Sequence, residues 1–316
     1  MIRSGLFHQS EENGMIHPNQ RRWMLLSGFV VLALAVLACS VPDQETAPTA
    51  VTTATAAVGA TSQPTPIPLT ATTAPAQAEF TATPAPATAT AAPDVSFQGV
   101  SFSFDHAIAS DAWGQVIEAT PPTDDMPGFD ISPQHIEFSF KNYVLQNTFH
   151  TPQIYVYPAR EFAAMSEAAK STVDEFPGFL QQAQPAPEHI PFLPIWNAAQ
   201  VMRTNVAYLP FQNGKGVRFV SYYAQSAAVI NNHSLFYTYQ GLTDDGNYYV
   251  SIVLPVSNPS LPADDSQIPG GDYEAFANQY MTYLDGVVQG LNAQPNESFT
   301  PNLALLDEMV RSVEIK

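Results

Sequence analysis

The segment HIEFSF, residues 135–140, places His135 and Glu137 two positions apart. On a strand this spacing sends both side chains to the face opposite Ile136, Phe138 and Phe140, where an imidazole and a carboxylate can share a metal ion or shift one another's proton affinity. A solvated strand face has the same alternation, and it is the reading the pattern favours. Asp105, His106 and Asp111 make a second acidic and imidazole group, in a stretch whose polar composition reads as a loop. DDSQIPGGDYE offers Asp264, Asp265, Asp272 and Glu274 as oxygen donors of the kind calcium takes, without the spacing of an EF-hand. A helix-entry loop with Asp272 as its cap accounts for it more simply. The other histidines beyond residue 39 are His150, His189 and His233.

Common catalytic signatures are missing. The sequence has no G-x-S-x-G elbow, no H-E-x-x-H helix, no Walker loop and no G-x-G-x-x-G opening a helix after a strand. An enzyme with a dispersed site is still compatible with that result. No pattern calls for a cofactor or a resident metal. Tyrosines are the more conspicuous resource: Tyr208, Tyr222, Tyr223, Tyr237, Tyr239, Tyr248 and Tyr249 fall within one strand-rich region. Aromatic rings there can stack on sugars or meet a partner protein, and they can equally fill a core or pair across strands. If an exposed aromatic face exists, Tyr222, Tyr237, Tyr239 and Tyr249 are its candidates for ligand binding. Adjacent tyrosines such as Tyr222–Tyr223 and Tyr248–Tyr249 must point to opposite faces of a strand.

The elements that carry these residues can be read from hydrophobic periodicity. Val95, Phe97, Val100, Phe102 and Phe104 alternate with a phase shift near Gly99, as in a strand pair or a bulged strand. HIEFSF and QIYVYP are short strands. Phe162, Met165, Ala169, Val173 and Phe176 recur at helical spacing, which predicts a helix over 159–176 ended by Pro177 and Gly178. Between Val201 and Val256 lie four runs rich in β-branched and aromatic residues. Turn signals at 213–216 and 244–247 mark two of their junctions, which predicts an antiparallel meander. In GVRFVSYYAQS both faces are partly apolar, which suits a central strand covered on each side. A helix of about twenty residues follows Asp272, with Tyr273, Phe276, Ala277, Tyr280, Leu284, Val287, Val288 and Leu291 in one stripe. A shorter helix from Asn302 to about Val310 leads into a last strand holding Val313 and Ile315. The fold class expected is α+β, an antiparallel sheet covered by helices.

The opening GVSFSF, the mid-chain helix, the meander, the long helix and the closing LLDEMVRSVEIK together resemble the PsbP/Mog1/LpqN-like α-β-α sandwich. The similarity spans most of residues 95–316 in the order of elements. It implies a three-layer fold and no particular site, because no site motif of that family is matched.

The chain ahead of this region speaks to location. Arg21 and Arg22 precede Trp23 to Leu37, fifteen residues without charge, the length of a secretory apolar region and short for a membrane span. Leu37-Ala38-Cys39 resembles a bacterial lipobox, with Leu37 where a smaller residue is more usual. Residues 1–38 read as a signal peptide, with Met15 as an alternative start because Glu11 and Glu12 are unusual so early in such a signal. Cys39, the only cysteine, is then the lipid attachment point. Acylation adds about 0.8 kcal/mol of membrane affinity per buried methylene, and more than one chain gives stable anchoring. Residues 39–93, dominated by Thr, Ala and Pro, read as a disordered stalk, and 94–316 as a single α+β domain. Beyond Ala38 the chain keeps 8 Lys and Arg against 27 Asp and Glu, a net charge near −19 once the three basic and two acidic residues before it are removed. Such a surface repels nucleic acid. The expectation is an extracytoplasmic, membrane-anchored lipoprotein that acts as a non-catalytic binding or accessory module for an unknown protein or small ligand. The alternative is an exported hydrolase or metal-dependent enzyme with a dispersed active site.

Overall fold

The computed structural model describes residues 92–316. The signal peptide expected over 1–38, the lipid attachment expected at Cys39 and the expected stalk as far as Ala91 lie outside the described residues.

The chain opens with a tight hairpin of β1 (Val95–Phe97) and β2 (Val100–Phe102). Its turn needs two left-handed residues, Gln98 at φ 48° and Gly99 at φ 84°, which explains the phase shift in the sequence. β3 (Asp111–Ile117), β4 (His135–Lys141) and β5 (Gln153–Pro158) follow as consecutive antiparallel strands. β3 is not foreseen by the periodicity, because Gly114 interrupts its apolar pattern. Glycine is required there: a Cβ would lie 2.6 Å from the Phe97 ring and 2.9 Å from that of Phe138.

The single helix expected over 159–176 is two, α1 (Ala159–Met165) and α2 (Glu167–Gln182). They are split at Ser166, which leaves helical geometry and caps α2 through its side chain. Pro177 does not end α2 but sits inside it, on the exposed side. A proline there forgoes one helical hydrogen bond, and a carbonyl freed on the solvent side stays within reach of water. Residues 183–198 then run without helix or strand.

The meander consists of β6 (Ala199–Phe211), β7 (Gly214–Ala224), β8 (Phe236–Thr243) and β9 (Tyr248–Pro255). β9 pairs back onto β5, giving one seven-stranded antiparallel sheet in the order β3-β4-β5-β9-β8-β7-β6. The helix expected after Asp272 is again two, α3 (Tyr273–Asn278) and α4 (Tyr280–Asn292), broken at Gln279. Asp272 caps α3 as expected, its Oδ1 accepting from the Glu274 and Ala275 amides. Of the predicted stripe, Phe276, Leu284 and Leu291 are buried and Tyr273 is exposed. α5 (Leu303–Ser312) leads into β10 (Glu314–Ile315), which pairs with β2 in a small second sheet.

Over the described residues the fold is thus α+β, with antiparallel sheets and five α-helices. Alternation along the central strands feeds two apolar clusters. Val220 and Tyr222 of β7, with Tyr237 and Tyr239 of β8, join Leu284 and Leu291 of α4 and Leu303, Leu306 and Met309 of α5. Val217, Phe219, Phe236, Tyr249 and Val253 join Phe162 of α1, Phe176 of α2, and Ile190, Phe192 and Leu193 of the 183–198 segment. β7 is accordingly apolar toward both sides.

Candidate functional site

The residues singled out by type do not converge. Among the described residues no three His, Cys, Asp or Glu side chains group closely enough to hold a metal ion. Asp105 accepts from the amide of Ala107 within a turn, and Asp111, at the start of β3, from that of Ala112, so both are engaged locally; His106 makes an edge-to-face pair with Phe104. Asp264 accepts from the Ser266 amide, and Asp272 is occupied as the α3 cap. His135 and Glu137 do share a face. His135 is buried against Tyr157 with Nδ1 2.8 Å from the Pro133 carbonyl, and burial lowers its pKa. Glu137 instead accepts from two amides, Gln115 Nε2 at 3.1 Å and Gln153 Nε2 at 2.6 Å.

The tyrosine candidates are interior residues, not an exposed face: Tyr222, Tyr237, Tyr239 and Tyr249 are all buried. Burial of a phenol is tolerated where its hydroxyl finds a partner, and each one does. Tyr237 donates to Asp307 Oδ1 at 3.0 Å, Tyr239 to the Leu209 carbonyl at 3.0 Å and Tyr249 to Gln240 Oε1 at 3.0 Å, while the Tyr222 oxygen accepts from Asn231 Nδ2 at 2.9 Å. Asp307 also closes a buried ion pair with Arg218, at 3.0 Å. Tyr222 and Tyr223 point to opposite faces, and Tyr223 leads to the cleft.

That cleft, about 630 Å³, opens on the α2 side of the sheet and is lined by the start of β5, Val253 of β9 and, across β8, the end of β7. Its aromatic walls are Phe149, His150, Tyr155, Trp196 and Tyr223; Thr151, Gln153, Asn197 and Gln225 supply uncharged polar groups, and Ala198, Ala224 and Val253 complete it. No Asp, Glu, Lys or Arg is present among them.

Trp196 is placed by the 183–198 segment, and a chain this long without helix or strand is uncommon in a compact domain unless it is functional. Side chains of the sheet pin it repeatedly. Tyr208 donates to the Gln184 carbonyl, Arg203 to that of Pro187, Gln200 to that of Ile190 and Gln225 to that of Asn197. At its centre, Gln240 Oε1 accepts from the Leu193 amide at 2.9 Å and from Tyr249, while its Nε2 donates to Thr238 and Ser251. Ser251 donates in turn to the Leu193 carbonyl. Every polar group of Gln240 is paired inside the protein, so the network fixes the loop at little desolvation cost. Trp196 then packs on Phe192 (4.7 Å between ring centres), Tyr223 (4.9 Å) and Phe236 (5.4 Å), and His150 stacks parallel to it at 4.9 Å.

Burial, reinforced by nearby His233, lowers the His150 pKa from 6.5 to about 4, so the ring is neutral at pH 7. Burial also pushes the Tyr155 and Tyr223 phenols up. The cleft is therefore uncharged over the whole physiological range. It can stack, accept and donate hydrogen bonds, and exclude water, but it lacks a strong base.

No protein-family model matches the chain, and neither a curated protein nor a solved structure matches it. Among the described residues no helix is long and apolar enough to cross a membrane.

Proposed function

We propose that the chain is an extracytoplasmic lipoprotein, anchored in a membrane through Cys39, whose single domain, 94–316, is a non-catalytic binding module. Its ligand enters the cleft between Trp196 and Tyr155. The observation that carries this reading is an uncharged, aromatic-walled cleft in a protein of net charge −18. Binding sites are typically concave and apolar, with a few placed polar groups, and this composition meets that description. The order of elements and the packing of helices against both sides of the sheet support a PsbP/Mog1/LpqN-like α-β-α sandwich with a meander at its centre, carried on a disordered stalk. The acidic surface disfavours nucleic acid as a partner.

Catalysis would ask for two convergent titratable groups. His150 is a weak base here, and Glu137 is bound to Gln153 rather than directed at His150. The hydrolase alternative thus lacks an acid and base pair in the cleft.

Two experiments test the proposal. Cys39→Ser should abolish lipid labelling; an unmodified Cys39 in membrane-extracted mature protein contradicts the anchor. Indole, a small neutral aromatic, should bind the full chain in a calorimetric titration, and Ala198→Trp, which fills the cleft from the end of the 183–198 segment, should remove that binding. Equal indole binding by Ala198→Trp contradicts the cleft as the site.

A further inference from the structure

The cleft does not end at Gln153 and Tyr155. Strand register continues their face outward in two rows, Gln153–Ser139–Trp113 and Tyr155–Glu137–Gln115. At the far end Trp113 is 49% exposed on the edge strand, and at the cleft rim Phe149 is 69% exposed. Neither ring is spent on the core. From Val253 in the cleft to Trp113 is three strand spacings, roughly 14 Å. Between them Glu137 accepts from both Gln115 and Gln153, and the Tyr155 hydroxyl donates to Gln153 Oε1. The carboxylate is thereby engaged and the two amides are held in fixed orientations, each with a further N–H to offer.

We infer that this face, from Trp196 to Trp113, binds a neutral linear oligosaccharide. The inference rests on the cleft being the ligand site. An anionic chain would find no Lys or Arg in the cleft and a strongly acidic protein around it, and a cationic ligand would find no carboxylate in the cleft and, on the face beyond it, Glu137 already engaged by Gln115 and Gln153. A purely apolar ligand would leave the amides and hydroxyls beside the rings without partners when it displaced water. A pyranose presents what the lining lacks: apolar C–H faces for the rings and hydroxyls around its edge for Gln153, Asn197 and Thr151. The spread of aromatic platforms over several strands fits a chain of sugars rather than one.

The full chain, in a detergent without sugar headgroups, is titrated calorimetrically with cellohexaose, chitohexaose, maltohexaose and xylohexaose, and with the disaccharide of any that binds. At least one hexasaccharide should bind. Trp113→Ala, a surface change, should weaken it about tenfold, the loss of one aromatic contact, and leave the disaccharide unchanged; Ala198→Trp should abolish both. If none of the four binds while indole does, the carbohydrate inference falls and the cleft reading stands. If neither indole nor any sugar binds, both fall. Unchanged hexasaccharide affinity in Trp113→Ala overturns the extended site.

Discussion

Replacing Gln240 by leucine tests whether the buried polar network holds the loop that carries Trp196. The two side chains are similar in volume, so no large cavity is made, but the Leu193 amide and the Tyr249 hydroxyl both lose their acceptor. Each buried donor left unpaired costs about 1–3 kcal/mol, which gives about 2–6 kcal/mol for the pair. For a domain of this size each kcal/mol lowers Tm by about 2–4 °C, so a fall of roughly 4–24 °C is expected. Urea unfolding with linear extrapolation measures the loss directly, and Gln289→Leu on the exposed side of α4 should stay within about 0.5 kcal/mol. Trp196 lies three residues beyond Leu193, so tryptophan emission in Gln240→Leu should also shift to the red. A variant within about 0.5 kcal/mol of wild type, with unaltered emission, refutes the reasoning.

The remaining predictions concern the core and its titration. Leu284→Ala, buried beneath α4, should cost about 2–5 kcal/mol, whereas Asn278→Ala on the exposed side of α3 should cost about 0.5 kcal/mol or less; equal effects contradict the packing of the helix against the sheet. Asp307→Ala leaves the Arg218 guanidinium buried without its partner and should cost about 3–5 kcal/mol in urea unfolding; a neutral result means the pair is open to water. His150 binds its proton near pH 4 when folded and near 6.5 when unfolded, so the unfolded chain protonates first as pH falls. That contribution is fully present above the unfolded pKa and is lost downward toward the folded one. With some of the ring in water, about 1–2 kcal/mol should disappear between pH 7 and pH 5, and His150→Gln should lose less over the same interval. Parallel pH profiles for the two proteins contradict a neutral, buried His150.

Much of the scaffold is legible in the sequence. The meander is announced by its β-branched and aromatic runs and by turn residues at 213–216 and 244–247, and β7 by apolar residues on both of its faces. Helix ends are less legible. Ser166 and Gln279 break helices whose apolar stripes run on across the break, and Pro177 reads as a stop although it sits on an exposed face where α2 tolerates it. The tyrosines mislead for a related reason, since a phenol reads as surface or core according to whether a buried acceptor or donor awaits it. For Tyr237 that acceptor is Asp307, seventy residues away. The cleft is the least legible region. Trp196, the pair His150 and Gln153, and Tyr223 come from three separate segments, joined because β5 pairs with β9 and because Gln240 and Ser251 capture the backbone at Leu193. In the sequence Gln240 and Ser251 look like ordinary polar positions of strands, and only the length of 183–198 without a periodic pattern hints at a loop with a role.

The most direct test of the binding account is an NMR titration of the full chain with nitrogen-15 in its three tryptophan indoles, Trp23, Trp113 and Trp196, against the bound hexasaccharide, with the sugar recovered afterward and weighed by mass spectrometry. The account predicts that the Trp196 and Trp113 signals move with one affinity, that Trp23 does not move, and that the sugar returns intact. A stationary Trp196 signal, or a sugar recovered as shorter fragments, contradicts it.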